Sequence, residues 1–228
     1  MPEANNQSQK PRRYRKSTNL LAYGLLILGI AGLIISGVLY AHRSRPPHNL
    51  AISSVDVTPA PSSVKPTAAA VASYSVPPTS PKYISIPAIG ITNTRIIRLG
   101  LLANGQIATP DNIFDTGWYD GSSKPGQSGA MFIYGHVSSW TADGIFYNLK
   151  KLKAGDDITI TRGDNQTFTY RVVTTKIYPY MSVDMNAALS PINSGIPGLN
   201  LMTCTGQVIP GTSEFNERLV VFTSLVSS

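Results

Sequence analysis

Cysteine is almost missing from this chain: Cys204 is the only one in 228 residues. A single thiol cannot form an internal disulfide, so the fold has to be held by its core. Histidine is nearly as scarce, with His42, His48 and His136. One histidine beyond residue 48, one cysteine and scattered acids do not make a zinc site. No internal repeat is found, which sets solenoids and propellers aside. Beyond residue 42 there is little helical periodicity. Acidic residues are few, 12 against 19 Lys and Arg, for a formal charge of +7. That excess is not spread over a folded surface. Residues 1–19 carry five basic side chains and one acid, residues 42–81 three and one, and residues 82–228 eleven and ten. A near-neutral folded part excludes a nucleic-acid binder, for which a basic face would be required.

The run Leu20 to Ala41, LLAYGLLILGIAGLIISGVLYA, holds 22 residues without a charge. At about 1.5 Å per residue this crosses about 30 Å of hydrocarbon. It exceeds the roughly 7–15 apolar residues of a cleavable signal, and no small-x-small site follows it closely, so an uncleaved transmembrane anchor is expected. Lys10, Arg12, Arg13, Arg15 and Lys16 precede the run while Arg43 and Arg45 follow it. The excess predicts a cytoplasmic N-terminus and an extracellular remainder. Residues 42–81 mix Pro, Ser, Ala and Thr without an apolar period and read as a linker, able to reach at most about 120 Å at about 3.1 Å per residue.

From residue 82 to 228 the pattern changes to short β-type runs: YISI, AMFIYG, DITIT, FTYRVV, LNLMT and RLVVFTSLV. Gly163-Asp164-Asn165 between two alternating runs is a hairpin turn by composition. IFYNLKKL (145–152) predicts a helical turn or two, and VDMNAAL a short helix capped by Asp184. Six or more short strands in this length predict a mainly β fold, a closed or nearly closed β-barrel.

A thiol attacks as thiolate, and at a pKa near 8.5 only a few per cent is ionised at neutral pH, so a nucleophilic cysteine needs a base or cation nearby. His136 ends the run AMFIY directly after Gly135, at the mouth of a strand; Cys204 ends another. Arg218 opens the last strand, 14 residues after Cys204. A guanidinium there has the fork to hold a carbonyl and the charge to stabilise an oxyanion. Pairing with Glu214 or Glu217 at a rim is the alternative, and Arg95, Arg98 and Arg171 stand in reserve.

LMTC (201–204) resembles the signature strand of the sortases, membrane-anchored cysteine transpeptidases of mainly Gram-positive bacteria. YISIPAIGI (83–91), YGH (134–136), IFYNLKKLKAGDDITITR (145–162) and FNERLVVF (215–222) are similar to further family segments in the same order. TGWYDGSSKPGQSGAMFIYGH (116–136) most resembles class F. Asn216, where class F would carry an arginine, and TCTG in place of TCGG leave the subclass open.

The resemblance implies a sortase-like barrel of about eight strands with one or two short helices. It makes Cys204 the nucleophile, His136 the general acid/base and Arg218 the oxyanion and substrate-binding residue. The substrate would be a secreted protein with a C-terminal sorting signal of the Leu-Pro-x-Thr-Gly type, cleaved after Thr. The acyl group would pass to an amine on a peptidoglycan precursor or a pilin lysine, and no metal or organic cofactor is required. The segment 180–198 would cradle the signal, with Ala187, Ala188, Leu189 and Ile192 as an apolar floor and Thr203 beside the nucleophile. A non-enzymatic anchored β-domain for adhesion or scaffolding is the rival reading.

Overall fold

The computed structural model describes residues 60–228. The basic tail, the apolar run 20–41 and the linker as far as residue 59 lie outside the described residues. Within them no helix is long and apolar enough to cross a membrane.

Eight strands close into a barrel: β1 Pro81–Ile86, β2 Ile91–Leu99, β3 Thr116–Tyr119, β4 Ala130–Gly135, β5 Asp157–Arg162, β6 Thr167–Pro179, β7 Gly198–Val208 and β8 Phe215–Ser227. Their order around the barrel is β1-β2-β3-β4-β7-β8-β6-β5, closing back on β1. Two neighbouring pairs, β2–β3 and β4–β7, are parallel, and the rest are antiparallel. Among the described residues there are also two short α-helices, α1 Ala68–Ala72 and α2 Met185–Ala188, and three single 3₁₀ turns.

β5 and β6 follow the alternation seen in their sequence. Ile158, Ile160, Phe168 and Tyr170 point into the barrel, and the turn between the strands puts Asn165 at φ 66°, a left-handed conformation that asparagine tolerates. β4 shows no alternation because both its faces are covered. Met131 and Ile133 fill the barrel interior with Leu199, Leu201, Leu219 and Val221. Phe132 and Tyr134 face outward into a second cluster with Met202, Val220 and Phe222.

The segment around α2 roofs that outer cluster. Asp184 caps the helix through the Ala187 N–H at 3.0 Å, as the sequence predicts. Asn200 on β7 ties down the helix end by donating to the carbonyls of Ala188 and Ser190, both at 2.9 Å. IFYNLKKL forms a 3₁₀ turn at Leu149–Lys151, with Phe146 and Leu149 plugging the barrel end.

Residues 60–80 do not extend away from the barrel as a free polyproline linker would. Ser62 pairs with Asn112, the Tyr74 hydroxyl donates to the Ile96 carbonyl at 2.7 Å, and the Tyr83 hydroxyl to that of Val71 at 2.5 Å. Alanine-rich α1, capped by Thr67, supplies the helix that the compositional reading of this stretch missed.

Candidate active site

Strand register brings the chemistry together. Along β4, Tyr134 faces outward with Phe132, and strand alternation turns His136, two residues on, the same way. β4 runs parallel to β7 with Tyr134 opposite Met202, so two further residues along each strand lead to His136 and Cys204. β8 runs antiparallel on the other side of β7 and sets Arg218 directly opposite Cys204. All three side chains line one cavity of about 400 Å³ on the outer face at the strand ends. Ala60 and Pro61 also line it, because the stretch after them is held alongside residues 111–113 by Ser62 N–H to Asp111 O at 2.7 Å and Ile113 N–H to Ser62 O at 3.0 Å.

Two close fits fix the strand ends. A β-carbon on Gly135 would lie 2.5 Å from Phe146 Cδ2, so only glycine lets that ring seal the barrel beneath His136. The Thr203 hydroxyl donates to the Gly135 carbonyl at 2.8 Å and clamps β4 to β7 one residue before Cys204.

Arg218 is almost wholly buried, with 1% exposure. One terminal nitrogen donates to Glu214 Oε2 at 2.9 Å, the other to the carbonyls of Phe215 at 2.8 Å and Glu217 at 3.0 Å. Its Nε–H has no hydrogen-bond partner. The pairing with Glu214 considered from sequence is therefore present, yet inside the cavity wall instead of at a solvated rim. Arg95, Arg98 and Arg171 pair with Asp115, Asp120 and Asp157 elsewhere on the barrel.

The Cys204 thiol is half-buried and bonded to the Tyr134 hydroxyl, with Sγ and Oη 3.1 Å apart. Burial pushes its pKa up, against the pull of the Arg218 charge and the Tyr134 bond. His136 donates from Nε2 to the Pro110 carbonyl at 2.8 Å. A carbonyl only accepts, so Nε2 carries the proton and Nδ1 is the basic nitrogen of the neutral ring. Burial lowers the pKa of His136, partly offset by the Pro110 bond. At rest the arrangement is a neutral thiol and a neutral imidazole, each held by a partner other than its counterpart.

The expected apolar floor is placed differently. Ala188 is fully buried, Ala187 and Leu189 pack on the outer cluster, and Ile192 is 41% exposed; none of the four lines the cavity. The cause is Asn200, whose two bonds turn this segment inward onto β7. Thr203 faces a second recess of about 360 Å³ on the other side of Cys204, with its hydroxyl committed to Gly135. Sequence reading missed Tyr134, although its position two residues before His136 on a strand carried the signal. For Pro110, in a long loop, there was none.

The family model for the sortase domain matches residues 84–226. The chain belongs to the sortase family. Among solved structures, sortase C from Streptococcus pneumoniae is 24% identical with a TM-score of 0.50, over 64% of this chain and 66% of that one. A lid mutant of sortase A from Corynebacterium diphtheriae is 25% identical with a TM-score of 0.50, over 67% of this chain and 72% of that one. This sortase therefore spans just under two thirds of the pneumococcal protein's length. No curated protein matches the chain.

Proposed function

We propose that this sortase is a membrane-anchored cysteine transpeptidase that cuts a Leu-Pro-x-Thr-Gly-like sorting signal after Thr and passes the acyl group to an amine. The observation that carries the reading is the convergence of His136, Cys204 and Arg218 on one cavity from three adjacent strands. The thiol proton passes to His136 Nδ1, and the thiolate adds to the carbonyl carbon of Thr. The carbonyl electron pair moves to oxygen, where the positive charge of Arg218 in the cavity wall stabilises it. Collapse breaks the C–N bond, and His136 gives its proton to the departing glycine amine. An amine of a peptidoglycan precursor or a pilin lysine then attacks the thioester, returns its proton to His136, and frees Cys204. The uncharged run 20–41 and the basic residues before it support a single-pass anchor with this domain outside the cell.

The test is to incubate the chain with a fluorescent Leu-Pro-x-Thr-Gly peptide and a glycine-based amine, following acyl-enzyme and transfer product by mass. Cys204→Ala abolishes both, and His136→Ala costs about 10²- to 10⁴-fold. Arg218→Lys keeps the charge but loses the fork, and costs on the order of 10²-fold in turnover. Full transfer by Cys204→Ala would refute the reading. A thiol unreactive towards small electrophiles would favour the adhesive β-domain instead.

A further inference from the structure

In the resting site the atom held against the nucleophile is neither imidazole nor guanidinium. It is the Tyr134 hydroxyl, 3.1 Å from Cys204 Sγ. Tyr134 is buried, with 4% exposure, and its ring is wedged into the outer cluster between β4 and β7. Its edge meets the His136 ring, centroids 5.9 Å apart at 77°. A side chain so enclosed has little freedom to turn its hydroxyl elsewhere, and no hydrogen-bond partner other than Sγ is present among the described residues.

We propose that Tyr134 is a further catalytic residue of the transpeptidation, a fixed hydrogen-bond donor that holds Cys204 Sγ when the sulfur carries negative charge. The inference rests on the reading of Cys204 as nucleophile. A phenol can accept from a thiol or donate to a thiolate, so the contact survives ionisation of the sulfur with its direction reversed. Burial and the neighbouring Cys204 hold the phenol well above its ordinary value, so Tyr134 remains a donor throughout the working range. No proton leaves the tyrosine at any step. When the thiolate adds to the substrate carbonyl, its electron pair enters the S–C bond and the hydrogen bond weakens. When an amine later expels the sulfur, the C–S pair returns to Sγ and the Tyr134 O–H receives it. The donor thus acts most on the departure of the thiolate.

The other groups facing Cys204 are distinct from it. In the main cavity these are His136, Arg218, Glu214 and Asp111; in the second recess they are Glu217, Lys150 and Tyr147. Glu214 opposes ionisation of the thiol and is itself tied to Arg218.

Because Cys204 is the only cysteine, the rate of alkylation by iodoacetamide in the full chain reports this thiol alone. Tyr134→Phe keeps the ring and removes the donor. The pH midpoint of alkylation rises by about one unit, the scale of a hydrogen bond to a charged group. Tyr178→Phe is the control: its hydroxyl has no partner and its ring packs in the same cluster, so the midpoint stays where it is. Replacing every tyrosine with 3-fluorotyrosine, a stronger donor of similar size, lowers the midpoint and serves if Tyr134→Phe does not fold. Tyr134→Phe with an unshifted midpoint, an equal shift in Tyr178→Phe, or no response to fluorination would overturn the proposal. Failure of the wild type to transfer any peptide would instead overturn the transpeptidase reading while leaving the alkylation result interpretable.

Discussion

A thiol raised by burial facing a histidine lowered by burial has a defined consequence for pH dependence. The productive thiolate and imidazolium hold the same number of protons as the resting thiol and imidazole. That proton count dominates between the two pKa values. Adding a proton fills Nδ1 of His136, and removing one leaves no acid for the leaving amine. The rate of peptide transfer is therefore bell-shaped, with an acid limb below the ordinary histidine value of about 6.5 and an alkaline limb above the ordinary thiol value of about 8.5. Initial rates from pH 5 to 10 check this, and a profile whose half-maximal points both lie inside the interval between those two ordinary values would contradict it. The three candidate residues could be read from sequence because each borders a recognisable apolar run, although β7 continues past Cys204 to Val208 and β8 begins at Phe215, before Arg218. Of what surrounds them, the pairing of Arg218 with Glu214, four residues away, was among the alternatives the sequence offered, whereas the Pro110 contact depends on how a loop returns to the cavity, which no local pattern encodes.

At the scale of elements, the joint between β4 and the segment carrying Phe146 decides how firmly His136 is held. Gly135→Ala drives a methyl group into the Phe146 ring, which cannot move without opening the barrel end. Overpacking of this kind costs about 1–3 kcal/mol. A lowered melting temperature and reduced transfer are expected together, and an unchanged melting temperature would show that the ring has room to yield. The same joint shows why elements differ in legibility. β5 and β6 have one face in the core and alternate openly, and β4, β7 and β8 stand out as apolar runs because both faces are covered. β2 escaped the sequence reading: ITNTRIIRL has polar residues and a positive φ at Asn93 in its first half, which pairs only with β1. β3, four residues long and centred on Gly117-Trp118, is too short to show a period.

For the whole molecule, the folded unit starts well before the change in composition at residue 82. The Gly163 and Asp164 N–H groups of the β5–β6 turn donate to the carbonyls of Ser80 and Pro78, and Tyr74 lies over Arg95. A fragment of residues 60–228 is expected to melt at a higher temperature than one of residues 82–228, which loses α1 and these bonds. Equal melting temperatures would mean that residues 60–81 add nothing to the barrel. Closure brings one further consequence at β7. Its backbone is paired on both sides from Gly198 to Met202, then with β8 alone through Val208. Cys204 stands at the second residue of this one-sided edge. An extended polypeptide laid along it meets N–H and C=O groups before it meets any side chain, and those groups are blind to sequence. On the proposed function, grip and discrimination are thereby separable: the backbone edge is blind to sequence, and selection of particular residues falls to the cavity beside it.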